Sequence, residues 1–394
     1  MSLIRRHRGG GAVESRATWP VPGWLTAGFG QTTAAGKPVS VENVMKSNAF
    51  AACRRVLVSE IAQLPVHAYR KSGSTRRMVS PSPSIVSTPA GGVSRRNWTA
   101  QVVDSLVRAG NAYCLIRRDS AGVVVGAETV APGVVTWSHV DNVLRPFVGG
   151  VERDLFPNGD LLHIPASAFI TAGSPVAVSP VEASAESLGL GLAAESYVAE
   201  WFGSGGHPSS ILFVDREITA QQAEQIKDRY VESTQGRRPA VFGAGITRES
   251  TQTPPDETML NLARFVVEQA CRTTGVPPSM VYAAVSGQSV TYANVSDSDH
   301  QLLKHSLGVW LSDVEDYWSM LLPTRGQYVQ FNLDALLRST PKERAEINQI
   351  RLASKTITVN EVRALEDDPP FPDPMYDEPG VPGGLSTGVE NAPT

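Results

Sequence analysis

Asp297, Asp299 and His300 stand together in a chain of 394 residues, and carboxylates beside an imidazole are donor types that hold a divalent metal. Their spacing works against that use. On a helix the three side chains point in several directions, and a second imidazole is needed four residues beyond His300. His305 lies five residues on, so it falls on another face. His163 sits between Leu162 and Ile164 in a β-rich stretch, where a hydrogen-bonded structural histidine is the simpler account. Cys53, Cys114 and Cys271 are far apart in sequence and have apolar neighbours. No Cys-x-x-Cys knuckle or disulfide framework can be drawn from them, so they read as small buried hydrophobes in a reducing compartment.

The organic catalytic templates fail as well. There is no phosphate loop ending in Gly-Lys-Ser/Thr, no Gly-x-Gly-x-x-Gly after a strand, no His-Glu-x-x-His and no Gly-x-Ser-x-Gly elbow on a strand-to-helix turn. Gly189 and Gly191 fall inside a helical pattern, and the cluster from Gly203 to Gly206 lacks a following lysine. These read as packing or capping glycines. No cofactor and no enzymatic activity is expected.

Nucleic acid is the next chemistry to ask about. Basic residues occur as Arg5, Arg6 and Arg8, as Arg76 and Arg77 in an expected loop, as Arg95 and Arg96, and as Lys227, Arg229, Arg237 and Arg238. Acids are interleaved near the last group, as Glu224, Asp228 and Glu232. A formal net charge of -4 argues against tight gripping of DNA, which rests on many cation–phosphate contacts. It is compatible with a conduit through which DNA slides. In a ring, any one basic position is repeated in every subunit and becomes a charged band.

The elements that must position these residues follow from periodicity. Apolar residues make up 41% of the chain, no apolar run approaches the ~18 residues of a membrane span, and the length suits two or three compact units. Met1 to Arg8 are basic without an apolar stretch behind them, so no secretory signal is expected. Residues 1–38 and 371–394 lack a sustained period and read as flexible arms. Phe50, Cys53, Leu57, Ile61 and Leu64 predict a helix that Pro65 ends, followed by an extended Val66 to Arg70. Residues 72–94 read as a loop; Trp98, Val102, Leu106 and Ala109 predict a helix closed by Gly110. Short β segments follow at Ala112 to Arg118, Val123 to Val130, Val134 to His139 and Leu161 to Ile164, which makes an α+β unit.

From Ser179 the pattern changes to long helices. Ser179-Pro-Val-Glu182 reads as a capping box opening a helix of about 24 residues, roughly 36 Å, that runs to Phe202. A β-α-β insertion follows: strand Ser209 to Val214, a helix opened by Thr219-Ala-Gln-Gln222, and a strand at Ala240 to Phe242 or slightly beyond. Glu257 to Thr274 predicts a second helix ending at Gly275, suited to pair with the first. A polar loop over 276–290 precedes a third helix from Thr291 to Leu322, roughly 45 Å long. Strand Tyr328 to Leu333 and two short helices, opened by Thr340-Pro-Lys-Glu343 and Thr358-Val-Asn-Glu361, complete the order.

Several phrases recur in this order: Gly110-Asn-Ala-Tyr113, Ser179-Pro, Trp201-Phe-Gly-Ser-Gly-Gly206 and Pro208-Ser-Ser-Ile-Leu212. Gly275-Val-Pro-Pro278, Thr291-Tyr-Ala-Asn294, Phe331-Asn-Leu-Asp334 and Thr358-Val-Asn-Glu-Val-Arg363 follow. With them the chain resembles the portal proteins of tailed phages with the HK97-type capsid, from about Val41 to Pro370.

The resemblance implies an α+β portal fold. Its parts would be a wing over 39–178 with the long helix and strand of 291–339, stem helices over 179–207 and 256–275, a clip over 208–255, a tunnel loop over 276–290 and a short crown over 340–370. It implies a homo-oligomeric ring, typically a dodecamer, at one vertex of the virion capsid and assembled in the host cytoplasm. Double-stranded DNA passes through such a ring during packaging and ejection. The implied partners are the terminase large subunit, a head-tail adaptor protein and the major capsid protein, with no membrane. Ser286, Gly287, Gln288 and Ser289 would face DNA from the tunnel loop, with polar groups where the family carries charge. Lys227, Arg229, Arg237 and Arg238 would contact terminase or adaptor from the clip. The competing reading is another ring-forming head-tail connector or packaging protein without catalytic activity.

Overall fold

The computed structural model describes residues 31–73, 75–141, 143–203, 210–215, 217–235, 246–250, 257–281, 301–333, 341–366 and 368–379. The chain divides into two units, Met1–Asn332 and Leu333–Thr394.

In the first unit, β1 (Gln31–Thr32) and β2 (Pro38–Val39) form a small hairpin. Helix α1 (Asn48–Gln63) buries Phe50, Cys53, Leu57 and Ile61, the stripe that its period predicts. It ends before Pro65, which has no amide to continue the ladder. Strand β3 (Val66–Ser72) follows and pairs with β4 (Thr75–Met78). A short helix α2 (Ser84–Ser87) then buries Ile85 and Val86. Residues 72–94 are therefore not a plain loop. Pairing with β3 satisfies the backbone of one part, and burial of two apolar side chains fixes the other.

Helix α3 (Arg95–Ala109) starts where the Ser94 hydroxyl accepts the Asn97 amide and stops at Gly110. Strands β5 (Asn111–Arg118), β6 (Val124–Val130) and β10 (Leu161–Pro165) make an antiparallel sheet in the order β10-β5-β6. Strands β7 (Val135–Val140), β8 (Val143–Val148) and β9 (Val151–Glu152) make another. The last two had no counterpart in the sequence reading, because most of their side chains are exposed or half-buried and leave little apolar alternation.

The helix expected over 179–202 is two pieces, α4 (Pro180–Ala183) and α5 (Ala185–Gly203). Ser184 leaves helical torsions at φ -111°, ψ 18°. The first turn is tied to α3 through the Ser179 hydroxyl, which donates to the Arg108 carbonyl at 2.7 Å, while α5 follows its own contacts with the helix over 257–274. Strand β11 (Ser210–Val214), helix α6 (Ala220–Gln235) and strand β12 (Ile246–Ser250) make up the insertion, with β11 and β12 antiparallel. The strand expected at Ala240 to Phe242 lies outside the described residues; the partner of β11 is further on. Helix α7 (Glu257–Thr274) has its expected bounds. The third long helix is described from Gln301, passes through a π turn over Leu303–Leu307, and continues as α8 (Gly308–Ser319).

Strand β13 (Gln327–Phe331) returns to pair with β3, giving the order β13-β3-β4. Its other edge is not left bare. Ser319 Oγ accepts the Val329 amide at 2.8 Å and Glu315 Oε1 accepts the Phe331 amide at 2.7 Å, both from α8. The hairpin β1–β2 is also fastened. The Ala34 amide donates to Glu186 at 3.1 Å, and Lys37 Nζ donates to Ser196 Oγ at 3.0 Å, both on α5. Residues 31–38 thus belong to the folded unit and not to an arm.

In the second unit, α9 (Pro341–Ala353) precedes α10 (Val359–Leu365), whose capping box is complete: Thr358 Oγ1 accepts the Glu361 amide and the Glu361 carboxylate accepts the Thr358 amide. Of the stretch 371–394 expected to be free, the described residues 371–379 fold against α10. Asn360 donates to the Phe371 carbonyl and to Asp377, its Oδ1 accepts the Phe371 amide, and the Arg363 guanidinium lies 4.1 Å over the Phe371 ring.

The core of the first unit centres on Trp98 of α3 and Trp318 of α8, both fully buried with ring centroids 4.6 Å apart. Each indole N–H is satisfied: Trp98 donates to the Ala127 carbonyl at 2.6 Å and Trp318 to the Ile85 carbonyl at 3.0 Å. Trp318→Ala should destabilise the unit by about 3–5 kcal/mol. Denaturant unfolding followed by far-UV circular dichroism measures it, and a loss under 1 kcal/mol would remove the pair from the core.

Candidate functional site

Gly110 has φ 70°, a left-handed conformation, and a β-carbon there would lie 2.5 Å from the Val178 carbonyl oxygen. Only glycine lets the end of α3 and the entry to α4 come this close. Asn111 then joins them. Its Oδ1 accepts the Ala177 amide at 3.0 Å and its Nδ2 donates to the Ala177 carbonyl at 2.8 Å. Because Oδ1 must be the acceptor, His163 Nε2, 2.9 Å away, is the donor, so the neutral ring carries its proton at Nε2. His163 stacks on Tyr113 with centroids 4.8 Å apart, and the Trp137 indole donates to Tyr113 Oη at 3.0 Å. Burial pushes the Tyr113 phenol up and lowers His163 to about 3. The phrase Gly110-Asn-Ala-Tyr113 is thus a clamp on the base of α4–α5, and His163 is part of its packing.

Helices α5 and α7 lean on each other and α7 also packs on α1. At Gly191 a β-carbon would meet Val266 Cγ1 at 2.9 Å, so the glycine permits the close approach of α5 and α7. Gly189 faces the Thr33 side chain in the same way. Cys53 and Cys271 are brought together, Sγ to Sγ 3.8 Å, as free buried thiols between α1 and α7. Their separation in sequence gives no sign of this, because contacts between distant helices leave no local trace. Cys114 is enclosed, and burial raises its thiol to about 12. At the far end of α7, Gly275 (φ 75°) caps the helix, and Ser306 of the π turn donates to the Thr274 carbonyl at 3.2 Å. The extra residue of the π turn sets Ser306 at that carbonyl.

The insertion has a different character. Thr219 and Gln222 cap α6 reciprocally, the Thr219 amide donating to Gln222 Oε1 and the Gln222 amide to Thr219 Oγ1. Along residues 220–230 no side chain is fully buried, and only Ile226 and Tyr230 are half-buried. Lys227 and Arg229 are exposed on α6 beside exposed Asp228. Arg237 and Arg238, the loop residues Ser286, Gly287, Gln288 and Ser289, and the trio Asp297, Asp299 and His300 lie outside the described residues. Among the described residues no group of three or more His, Cys, Asp or Glu is placed to hold a metal, and no helix is long and apolar enough to cross a membrane.

A sequence profile described as phage portal protein matches residues 48–367. The chain belongs to the phage portal protein family. Among portal relatives, a probable portal protein of Streptomyces phage phiC31 is 28% identical over 402 aligned positions, which cover 95% of this chain and 85% of that protein. The portal protein of Enterobacteria phage HK97 is 27% identical over 276 positions, 67% of this chain and 63% of its own length. The portal fold is shared with solved structures. An HK97 family phage portal protein from Corynebacterium diphtheriae superposes with a TM-score of 0.58 at 16% identity, covering 79% of this chain and 98% of that one. A chain from the neck of a native gene transfer agent particle with C12 symmetry gives 0.52 at 15% identity, covering 86% and 97%.

Two outcomes follow from this geometry. Gly191→Val should destabilise the portal chain by about 1–3 kcal/mol, as overpacking does, and Val266→Ala in the same chain should recover part of the loss. Purely additive losses in a double-mutant cycle would contradict the contact. The second concerns acid. Free imidazole titrates near 6.5, whereas buried His163 titrates at about 3, so between these values the unfolded chain binds a proton that the folded chain refuses. The stability held above pH 6.5 is therefore lost as pH falls towards 3, by up to about 1.4 kcal/mol per pH unit. Urea unfolding at pH 7 and pH 5 should show a smaller drop for His163→Gln than for the parent, and equal drops would refute the assignment.

Proposed function

We propose that this portal-family chain is the subunit of a homo-oligomeric ring, a dodecamer, that forms the DNA channel at one capsid vertex of a tailed-phage virion. Double-stranded DNA passes through it during genome packaging and ejection, and the ring joins head to tail without catalysing a reaction. The observation that carries this reading is the single family match running from residue 48 to residue 367, through both long helices and the insertion between them. The likeness to a neck chain with C12 symmetry supports the subunit number.

In this reading 39–178 and 291–339 are the wing, 179–207 and 256–275 the stem, 208–255 the clip and 340–370 the crown. Residues 276–290 are the tunnel loop, where Ser286, Gly287, Gln288 and Ser289 touch DNA without holding it. The exposed flank of α6 supports the assignment of the clip, because a helix that buries so little in its own subunit gains partners from neighbours in a ring. Lys227, Arg229, Arg237 and Arg238 then face the terminase large subunit during packaging and the head-tail adaptor afterwards, while the wing meets the major capsid protein. Assembly takes place in the host cytoplasm.

Negative-stain images of the purified protein should show rings with a central hole wide enough for duplex DNA, and native mass spectrometry should give twelve subunits. A monomer at micromolar concentration would refute the ring. Reversing charge at Arg237 and Arg238 to Glu should leave ring formation intact and lower packaging in vitro; unchanged packaging would remove these residues from the docking surface.

A further inference from the structure

The sheet β13-β3-β4 carries a charge arrangement that its own fold does not explain. Across the β3–β4 hairpin, Arg70 is registered opposite Arg77 and Lys71 opposite Arg76. Directly opposed residues have β-carbons about 5 Å apart, and like charges in that position destabilise a hairpin. Two such pairs stand in succession, and since neighbours on a strand alternate faces, one pair projects from each face. All four side chains are exposed.

Among the described residues none of the four is ion-paired with an acid. The sequence holds no Asp or Glu between Glu60 and Asp104, and none between Asp316 and Asp334, which spans all three strands of this sheet. Elsewhere in the described residues several arginines are matched with carboxylates: Arg54 and Arg108 share Asp104, Arg145 meets Glu152 and Arg153 meets Asp160. Beside the cations lie two aromatic rings, Tyr69 and Tyr328, stacked at 5.8 Å, with His67 edge-on to Tyr69. The Arg76 guanidinium lies 5.0 Å from the Tyr69 ring centroid and donates to Gln330 Oε1 at 2.6 Å, which holds it in place. Beyond Lys71, whose amide still donates to the Gly326 carbonyl at 3.4 Å, the hairpin outruns β13, so the two cation pairs stand at the root of a short two-stranded tip.

We propose that this hairpin tip is a binding site for the phosphate backbone of duplex nucleic acid, made of residues other than those assigned to the tunnel loop and the clip. Cations on both faces at the root of that tip match a groove that has a phosphate row along each wall, and the major groove, about 12 Å wide, admits a two-stranded ribbon. An acidic protein surface would meet one face and leave the other opposed pair unrelieved. Duplex DNA offers one negative charge per about 1.7 Å of axis, so a short tip reaches several phosphates without reading sequence. The proposal does not rest on the ring reading, since the site lies within one subunit.

The test is fluorescence anisotropy of a labelled mixed-sequence duplex with the full chain, over a salt series, with oligomeric state recorded by native mass spectrometry in each sample. The parent protein should bind with a negative slope of log K against log salt. Replacing all four cations (Arg70→Gln, Lys71→Gln, Arg76→Gln, Arg77→Gln) should weaken binding at least ~10-fold at low salt and flatten the slope by about 2 or more, at about 0.9 per lost phosphate contact. Arg70→Lys, Arg76→Lys and Arg77→Lys together should keep both slope and affinity, and Lys227→Gln with Arg229→Gln should leave the hairpin-dependent part unchanged. The four-glutamine variant should also melt at a higher temperature than the parent, because the opposed like charges are gone; this shows that it is folded. Unchanged affinity and slope in that variant would overturn the proposal, as would a lower melting temperature. So would tighter hairpin-dependent binding of polyglutamate than of DNA at matched charge, which would assign the surface to an acidic protein.

Discussion

Trp98 and Trp318 pack ring against tilted ring in a space that neither stretch of chain encloses alone. Trp98 lies on a helix completed early, before the chain departs into α5, the insertion and α7; Trp318 lies on the helix that brings the chain back. Their indole N–H groups bind carbonyls of two further segments, β6 and α2, so one apolar contact fixes four elements. The return is repeated in the backbone, where β13 pairs with β3 and takes side-chain caps from α8. Both ends of the long excursion are thereby held in one body.

The second constraint is polar. A chain leaving a core must satisfy the backbone groups that it uncovers, and here Asn111 and Ser179 do so at the root of α4. Their geometry requires Gly110, since any β-carbon would strike the Val178 carbonyl. Asp104 performs a parallel task between α1 and α3. Burial alone would raise its carboxyl, but hydrogen bonds from Arg108 and Arg54 outweigh that and hold it below its ordinary value. Truncating Asp104 would leave two half-buried guanidiniums without the carboxylate they share, which costs more than the surface ion pairs contribute.

Features that depend on local chain chemistry were legible in the sequence. The stripe of α1, the glycine stops at Gly110 and Gly275, the Thr358 capping box and the bounds of α7 all follow from periodicity and turn residues within a few positions. The family phrases were legible as a resemblance, and the structure supplies reasons for four of them, at Gly110, Ser179, Gly275 and Thr358. Features made by distant contacts were not. Cys53 meets Cys271, β13 joins β3, and Phe371 docks on Asn360 only once the chain has folded. The weakly patterned β8 and β9 escaped because their side chains are too exposed to show alternation.

Arg76 and Arg77 show how the same residues change meaning between the two levels. In a loop, two adjacent arginines spread into solvent at almost no cost, and nothing distinguishes them from ordinary surface. On a paired strand, register sets them against Lys71 and Arg70 at a fixed separation, and the arrangement has to be tolerated by every folded copy. The acid-free sequence around the sheet removes the remedy that the fold uses at Asp104, Glu152 and Asp160. A cost that packing neither requires nor relieves is where a partner of opposite charge has the most to offer. Locating such a cost needs the register, and no composition or motif in the sequence contains it.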